Sequence, residues 1–190
     1  MKTICKTVFQ FNELNETAQQ KAIENCRDFN VSDEFWHECI YEDAKEIAKL
    51  LGIDISRIYF SGFWSQGDGA CFEGYFRYNK QGAKKVKEHA PQDKELHRIA
   101  DEYSAIQKAC FYSVYGNVKQ RGYYMHENCT EIDMENAKNK EEEMEEVLRD
   151  FMRWIYSSLE AQYEHLTSDE AVSEMIEANG YDFDEDGNLA

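Results

Sequence analysis

The stretch from Arg57 to Tyr78 constrains this chain more than any other. It reads Ile58-Tyr59-Phe60-Ser61-Gly62-Phe63-Trp64, then Ser65-Gln66-Gly67-Asp68-Gly69, then Ala70-Cys71-Phe72-Glu73-Gly74-Tyr75-Phe76. Aromatic and β-branched residues recurring with period two on both sides of a glycine-containing loop specify a β-hairpin. A second hairpin is expected from Phe111–Lys119 and Tyr123–Asp133, with Gln120-Arg121-Gly122 as its turn, and Lys2–Phe11 reads as a further strand. Between and after these segments the apolar period changes to three and four. Helices are predicted over about 16–29 behind an Asn15 cap, from after Ser32 to Gly52, over about 92–110, and over 141–165. A last helix follows a Thr167-Ser168-Asp169-Glu170 capping box and stops at Asn179-Gly180 before a short tail strand.

This order predicts an α+β fold: an antiparallel sheet of about five strands built from two hairpins, with about five helices packed mainly on one face. With no Pro/Gly/Ser linker and no internal repeat, residues 1–190 read as a single domain, of which 134–190 form an acidic helical C-terminal part. At 42% hydrophobic and 14% aromatic residues, the chain can bury a core.

Met1–Gln10 alternates apolar and polar residues and lacks the apolar core of a signal peptide, so a cytoplasmic location is expected. No stretch approaches the roughly 18–20 apolar residues that cross a bilayer. The six cysteines, at 5, 26, 39, 71, 110 and 129, form no CxxC pair; they are expected as reduced thiols, with no metal site and no cofactor.

The formal net charge is −17, and residues 131–190 carry 19 acidic against 4 basic side chains. Direct nucleic-acid binding over the whole surface is therefore not expected. Residues 77–98 lean the other way, with seven basic against three acidic side chains. Glu141, Glu142, Glu143, Glu145 and Glu146 open the long helix, where carboxylates face the positive end of its dipole. The same row can also present a phosphate-like negative field to a basic groove on a partner.

Three other constellations carry candidate chemistry. Asp68 lies in a glycine-bearing loop that lacks the Lys-Ser/Thr ending of a P-loop, which favours a hairpin turn over a phosphate cradle. Alternation places Glu73 on one face of the first hairpin with Ser61, Phe63, Cys71, Tyr75 and Arg77. It places His126 on a face of the second with Tyr124, Asn128 and Thr130. If these faces coincide, Glu73 and His126 form an acid/base pair, the centre of an enzyme reading. The tail Asp182-Phe183-Asp184-Glu185-Asp186-Gly187 matches the first half of an EF-hand loop without its twelfth ligand, so a strand and turn are expected there.

Across most of the chain, the run Ser61-Gly62-Phe63-Trp64-Ser65-Gln66-Gly67-Asp68-Gly69-Ala70, with Phe11-Asn12-Glu13-Leu14, Ala90-Pro91-Gln92-Asp93, Tyr124-Met125-His126-Glu127 and Leu166–Ala171, resembles a family of small acidic bacteriophage and prophage proteins commonly labelled antitoxins of a toxin–antitoxin stability system. The resemblance implies a phage-type origin and names no site residues. Small acidic phage proteins without enzyme motifs often occupy host nucleic-acid-binding machines. The expectation is a non-catalytic, anti-CRISPR-like or anti-restriction-like inhibitor. It would bind a host protein or nucleoprotein complex with a basic surface through the five glutamates, with Asp68, Glu73 and His126 as further contacts. The alternatives are an antitoxin-like neutraliser that uses the aromatic hairpin, and a small nucleotide- or nucleic-acid-processing enzyme. A homodimer through the tyrosine-rich sheet face is also open.

Overall fold

A computed structural model describes residues 6–190. The fold is α+β: the described residues form six α-helices, a four-stranded antiparallel sheet and a separate two-stranded sheet. The part of the expected first strand on Lys2–Cys5 lies outside the described residues. The chain divides into two compact units, Met1–His37 with Ala161–Ala190, and Glu38–Glu160.

The first unit pairs β1 (Phe9–Gln10) with β6 (Asp182–Phe183) and packs α1 (Glu16–Cys26) with α6 (Asp169–Asn179). The strand expected to add to the main sheet thus pairs with the tail instead. Of the predicted stripe Ala18, Ala22, Ile23, Cys26 and Phe29, the first four lie on α1 and form a core with Val172, Ile176 and Phe183, whereas Phe29 falls in a 3-10 turn beyond the end of the helix and is exposed. Asn15 caps α1 by accepting from the Ala18 N–H. Ser168 caps α6, one residue later than the expected Thr167, whose hydroxyl donates instead to the Tyr163 carbonyl. In the tail, Asp184 accepts from the Asp186 and Asn188 N–H groups and from the Asn188 amide. Its carboxylate closes a turn, and these bonds to Asn188 hold its pKa below the ordinary value.

The second unit contains α2 (Glu38–Leu51), β2 (Ile53–Ser61), β3 (Gly69–Arg77), α3 (Gly82–His89), α4 (Lys94–Ala109), β4 (Tyr115–Gln120), β5 (Thr130–Glu135) and α5 (Glu141–Leu166) as far as Glu160. Helix α2 starts later than the apolar stripe suggested. A 3-10 turn occupies Glu34–His37, where Asp33 takes the Phe35 N–H and draws the chain into a tight turn. Helix α3 was not expected as a separate element.

The sheet order is β2-β3-β4-β5, all antiparallel. One face buries Ile53, Ile55, Ile58, Phe72, Phe76, Val118 and Ile132, and Phe72 meets Phe151 of α5 edge-on, with ring centroids 6.2 Å apart. The other face carries opposed polar pairs: Arg57 across from Glu73, Tyr75 from Asn117, and Lys119 from Glu131. The first hairpin stands as expected. The second corrects the expectation, because residues 121–129 form a long loop ending in a 3-10 turn at Glu127–Cys129 rather than a three-residue turn. Gln120 holds this loop by donating to the Gly122 and Tyr124 carbonyls, and the Arg121 N–H donates to Cys129. Of Tyr124, His126, Asn128 and Thr130, only Thr130 lies in a strand. Among the described residues, no helix is long and apolar enough to cross a membrane.

Candidate functional site

At the end of the sheet where β2 turns into β3, the loop 62–68 packs against the loop 121–129. Asp68 is the staple of the first loop: its carboxylate accepts from the Ser65 N–H at 2.7 Å, while its own N–H donates to the Ser65 carbonyl. Gly67 has φ +93°, and a Cβ there would lie 2.9 Å from the Tyr124 ring; a Cβ on Gly69 would lie 2.9 Å from the His126 Cα. Two glycines therefore allow the loops to touch, a role the sequence assigned only to turn geometry. The contact leaves aromatic rings in solvent: Trp64 is 72% exposed and Tyr123 87%. Phe60, Phe63 and Tyr156 cluster beneath them, and Phe63 and Tyr156 lie 5.5 Å apart.

Glu73 and His126 do not pair. Glu73 accepts from the Tyr59 hydroxyl at 2.8 Å and from the Gln120 N–H at 3.2 Å, both on the open sheet face. His126 Nδ1 sits 2.9 Å from the Glu127 carboxylate and 3.2 Å from the Asn128 N–H, at the start of the 3-10 turn. The acid/base constellation fails because alternation was carried through a segment that is a loop, so strand geometry never applied to His126. Cys71 beside them is fully buried, and burial pushes its thiol pKa up to about 12, which removes it as a nucleophile.

The glutamates of α5 divide into two groups. Glu141 and Glu142 are exposed and make no ion pair among the described residues. Glu143 pairs with Lys140, Glu145 with Arg149 at 3.1 Å, and Glu146 with Arg153 at 2.5 Å. Part of the expected negative field is thus neutralised at its source. Glu143 and Glu146 nonetheless reach the rim of a groove of about 290 Å³ between α4 and α5, together with Glu102. Ala105, Ile106 and Val147 form its floor. An apolar floor under a carboxylate rim accepts the methylene stem and charged head of a lysine or arginine.

Behind the groove runs a charge network that links both regions. Arg153 meets Glu127, Glu146 and Asp150, and Arg98 meets Asp150, Glu95 and Glu102. Burial would raise the Asp150 pKa, but hydrogen bonds from Arg153 and Arg98 outweigh it and hold the carboxyl below its ordinary value. Arg98 with Glu95 and Glu102, and Asp150 with Arg153, were detectable as pairs three or four residues apart on helices. Glu127, which is buried in this network, gave no such signal. No group of three or more His, Cys, Asp or Glu side chains among the described residues is placed to hold a metal ion.

A family model described as Domain of unknown function (DUF8835) matches residues 36–169. The chain belongs to the DUF8835 family. No curated protein and no solved structure matches it. The DUF8835 match contains the whole four-stranded sheet, both loops of the aromatic end and the α4–α5 groove. It ends at the start of α6.

Proposed function

We propose that this DUF8835 protein is a non-catalytic binding protein of phage type. It docks on a basic, nucleic-acid-binding surface of a host defence complex and inhibits it in the anti-CRISPR-like or anti-restriction-like manner. The α4–α5 groove carries the reading: three carboxylates ring an apolar floor, with Glu141 and Glu142 exposed on the same helix. A net charge of −17 would steer such an encounter at long range. The phage resemblance of the Ser61–Ala70 run supports the choice of partner class.

The test is capture of partners from a host carrying CRISPR and restriction systems, at low and high salt. The wild type is compared with a Glu141→Lys/Glu142→Lys/Glu143→Lys variant whose fold is checked by circular dichroism. Recovery of a nucleic-acid-binding complex that is lost in high salt and in the folded variant supports the reading. Capture unchanged by the charge reversals sinks it.

A second reading has its own observation. Trp64 and Tyr123 are large, exposed and held on a stapled loop pair, as an aromatic docking surface for a toxin-like partner would be. That mode predicts a salt-resistant complex, lost on Trp64→Ala/Tyr123→Ala.

A further inference from the structure

At the other end of the four-stranded sheet, α3 and α4 enclose a cleft of about 380 Å³ whose chemistry is the reverse of the acidic groove. Tyr78 and Tyr112 form an aromatic pair at its wall, with ring centroids 4.5 Å apart and planes tilted by 39°. Lys84 and Lys108 line it from the two helices, and Ser104 adds a hydroxyl. Lys108 makes no ion pair among the described residues, and the Lys84 ammonium is 3.6 Å from Glu88, with both side chains largely in solvent. Asp101 is the one carboxylate of the lining, and Lys87 engages it at 2.7 Å. The cleft therefore presents the Lys108 ammonium and the loosely paired Lys84 ammonium beside an aromatic face, and Tyr78 and Lys84 belong to the 77–98 segment that is basic in an otherwise acidic chain.

The way Tyr112 is held separates this pair from ordinary packing. Phe111 and Tyr112 both adopt positive φ, 56° and 61°. Two successive aromatic residues in the left-handed region are backbone strain that the surrounding structure must offset. The corner is pinned by the Tyr112 N–H donating to the Gln107 carbonyl at 2.6 Å and the Phe111 N–H donating to Lys108 at 3.1 Å. Yet Tyr112 remains 47% exposed, so the strain does not serve to bury its ring in a core. It holds the ring against Tyr78 at the mouth of a cationic cleft.

We infer that this cleft binds a nucleoside phosphate, with the base against the Tyr78–Tyr112 pair and the phosphates between Lys84 and Lys108. Its volume suits a small ligand. Base–aromatic stacking supplies the apolar part of recognition, and two lysines supply the anionic part. The net charge of −17 disfavours a long polyanion, whereas at a Debye length of about 8 Å the local ammonium groups dominate the field on a single nucleotide. The site uses none of the α5 glutamates, so it stands or falls apart from the proposed partner binding.

Titration of the full-length chain with a fluorescent N-methylanthraniloyl derivative of ATP tests this. Expected are saturable binding, a loss of at least about tenfold in Lys84→Glu/Lys108→Glu, and a similar loss in Tyr112→Gly, which removes the ring while relieving its φ. Unlabelled ATP should compete at least about tenfold better than inorganic phosphate. Absence of saturation at about 1 mM nucleotide, or unchanged affinity in the lysine variant, overturns the assignment. So does inorganic phosphate competing as well as ATP, because the aromatic pair then has no part. A decathymidylate that binds more than about tenfold tighter than ATP also overturns it, in favour of a strand-binding groove.

Discussion

At Asp68, Cys71 and Asp150 the surroundings set what the side chain does. The Asp68 carboxylate is occupied by the Ser65 N–H, so Asp68→Ala should loosen the β2–β3 loop and cost about 1 kcal/mol in urea denaturation, with Asp68→Asn retaining most of it. Cys71 is fully buried with a pKa of about 12. It should resist iodoacetamide at pH 8 in the folded chain and react on unfolding, as peptide mapping would show. Asp150 has a folded-state pKa below its ordinary value of 3.8. Its ionised form therefore contributes stability above that value, and the contribution is lost as pH falls below it. Asp150→Asn should flatten the acid limb of the stability–pH curve; an unchanged limb would mean that the arginine bonds carry no net weight.

At the scale of elements, Asp93 bears two connections at once. One carboxylate oxygen caps α4 by accepting from the Leu96 N–H at 2.8 Å, and the other accepts from the Trp154 indole of α5 at 2.7 Å. Asp93→Ala removes a cap worth about 1 kcal/mol and leaves a part-buried indole N–H unpaired, for a total of roughly 2–4 kcal/mol by thermal or urea unfolding. Helix periodicity placed α4 and α5 within a few residues of their observed bounds, because a long amphipathic stripe repeats its own signal. It could not locate the tie between them, since a cap and an indole 61 residues apart share no local pattern. The 121–129 loop was missed for the converse reason. Its Tyr and Met text imitates a strand locally, while the hydrogen bonds that make it a loop come from Gln120 and Cys129.

For the whole molecule, the acidic excess that the C-terminal third shows along the chain falls unequally on the two units. Met1–His37 with Ala161–Ala190 carries 15 acidic against 4 basic side chains, and Glu38–Glu160 carries 23 against 17. Like-charge repulsion in the first unit is relieved chiefly by Arg27, which meets Glu24, Asp169 and the Thr167 carbonyl. Raising the ionic strength should therefore increase amide-exchange protection in α1 and α6 more than in β3; equal gains would mean that the repulsion is not local to that unit. The fold class, the first hairpin, the helical stripes and the acidic excess were legible in the sequence, because periodicity and charge are properties of neighbours along the chain. Pairing of β1 with the tail, separation of Glu73 from His126, neutralisation of three α5 glutamates and the cationic cleft between α3 and α4 were decided by tertiary structure. Each depends on which distant residue arrives opposite a given side chain, and sequence spacing does not contain that distance.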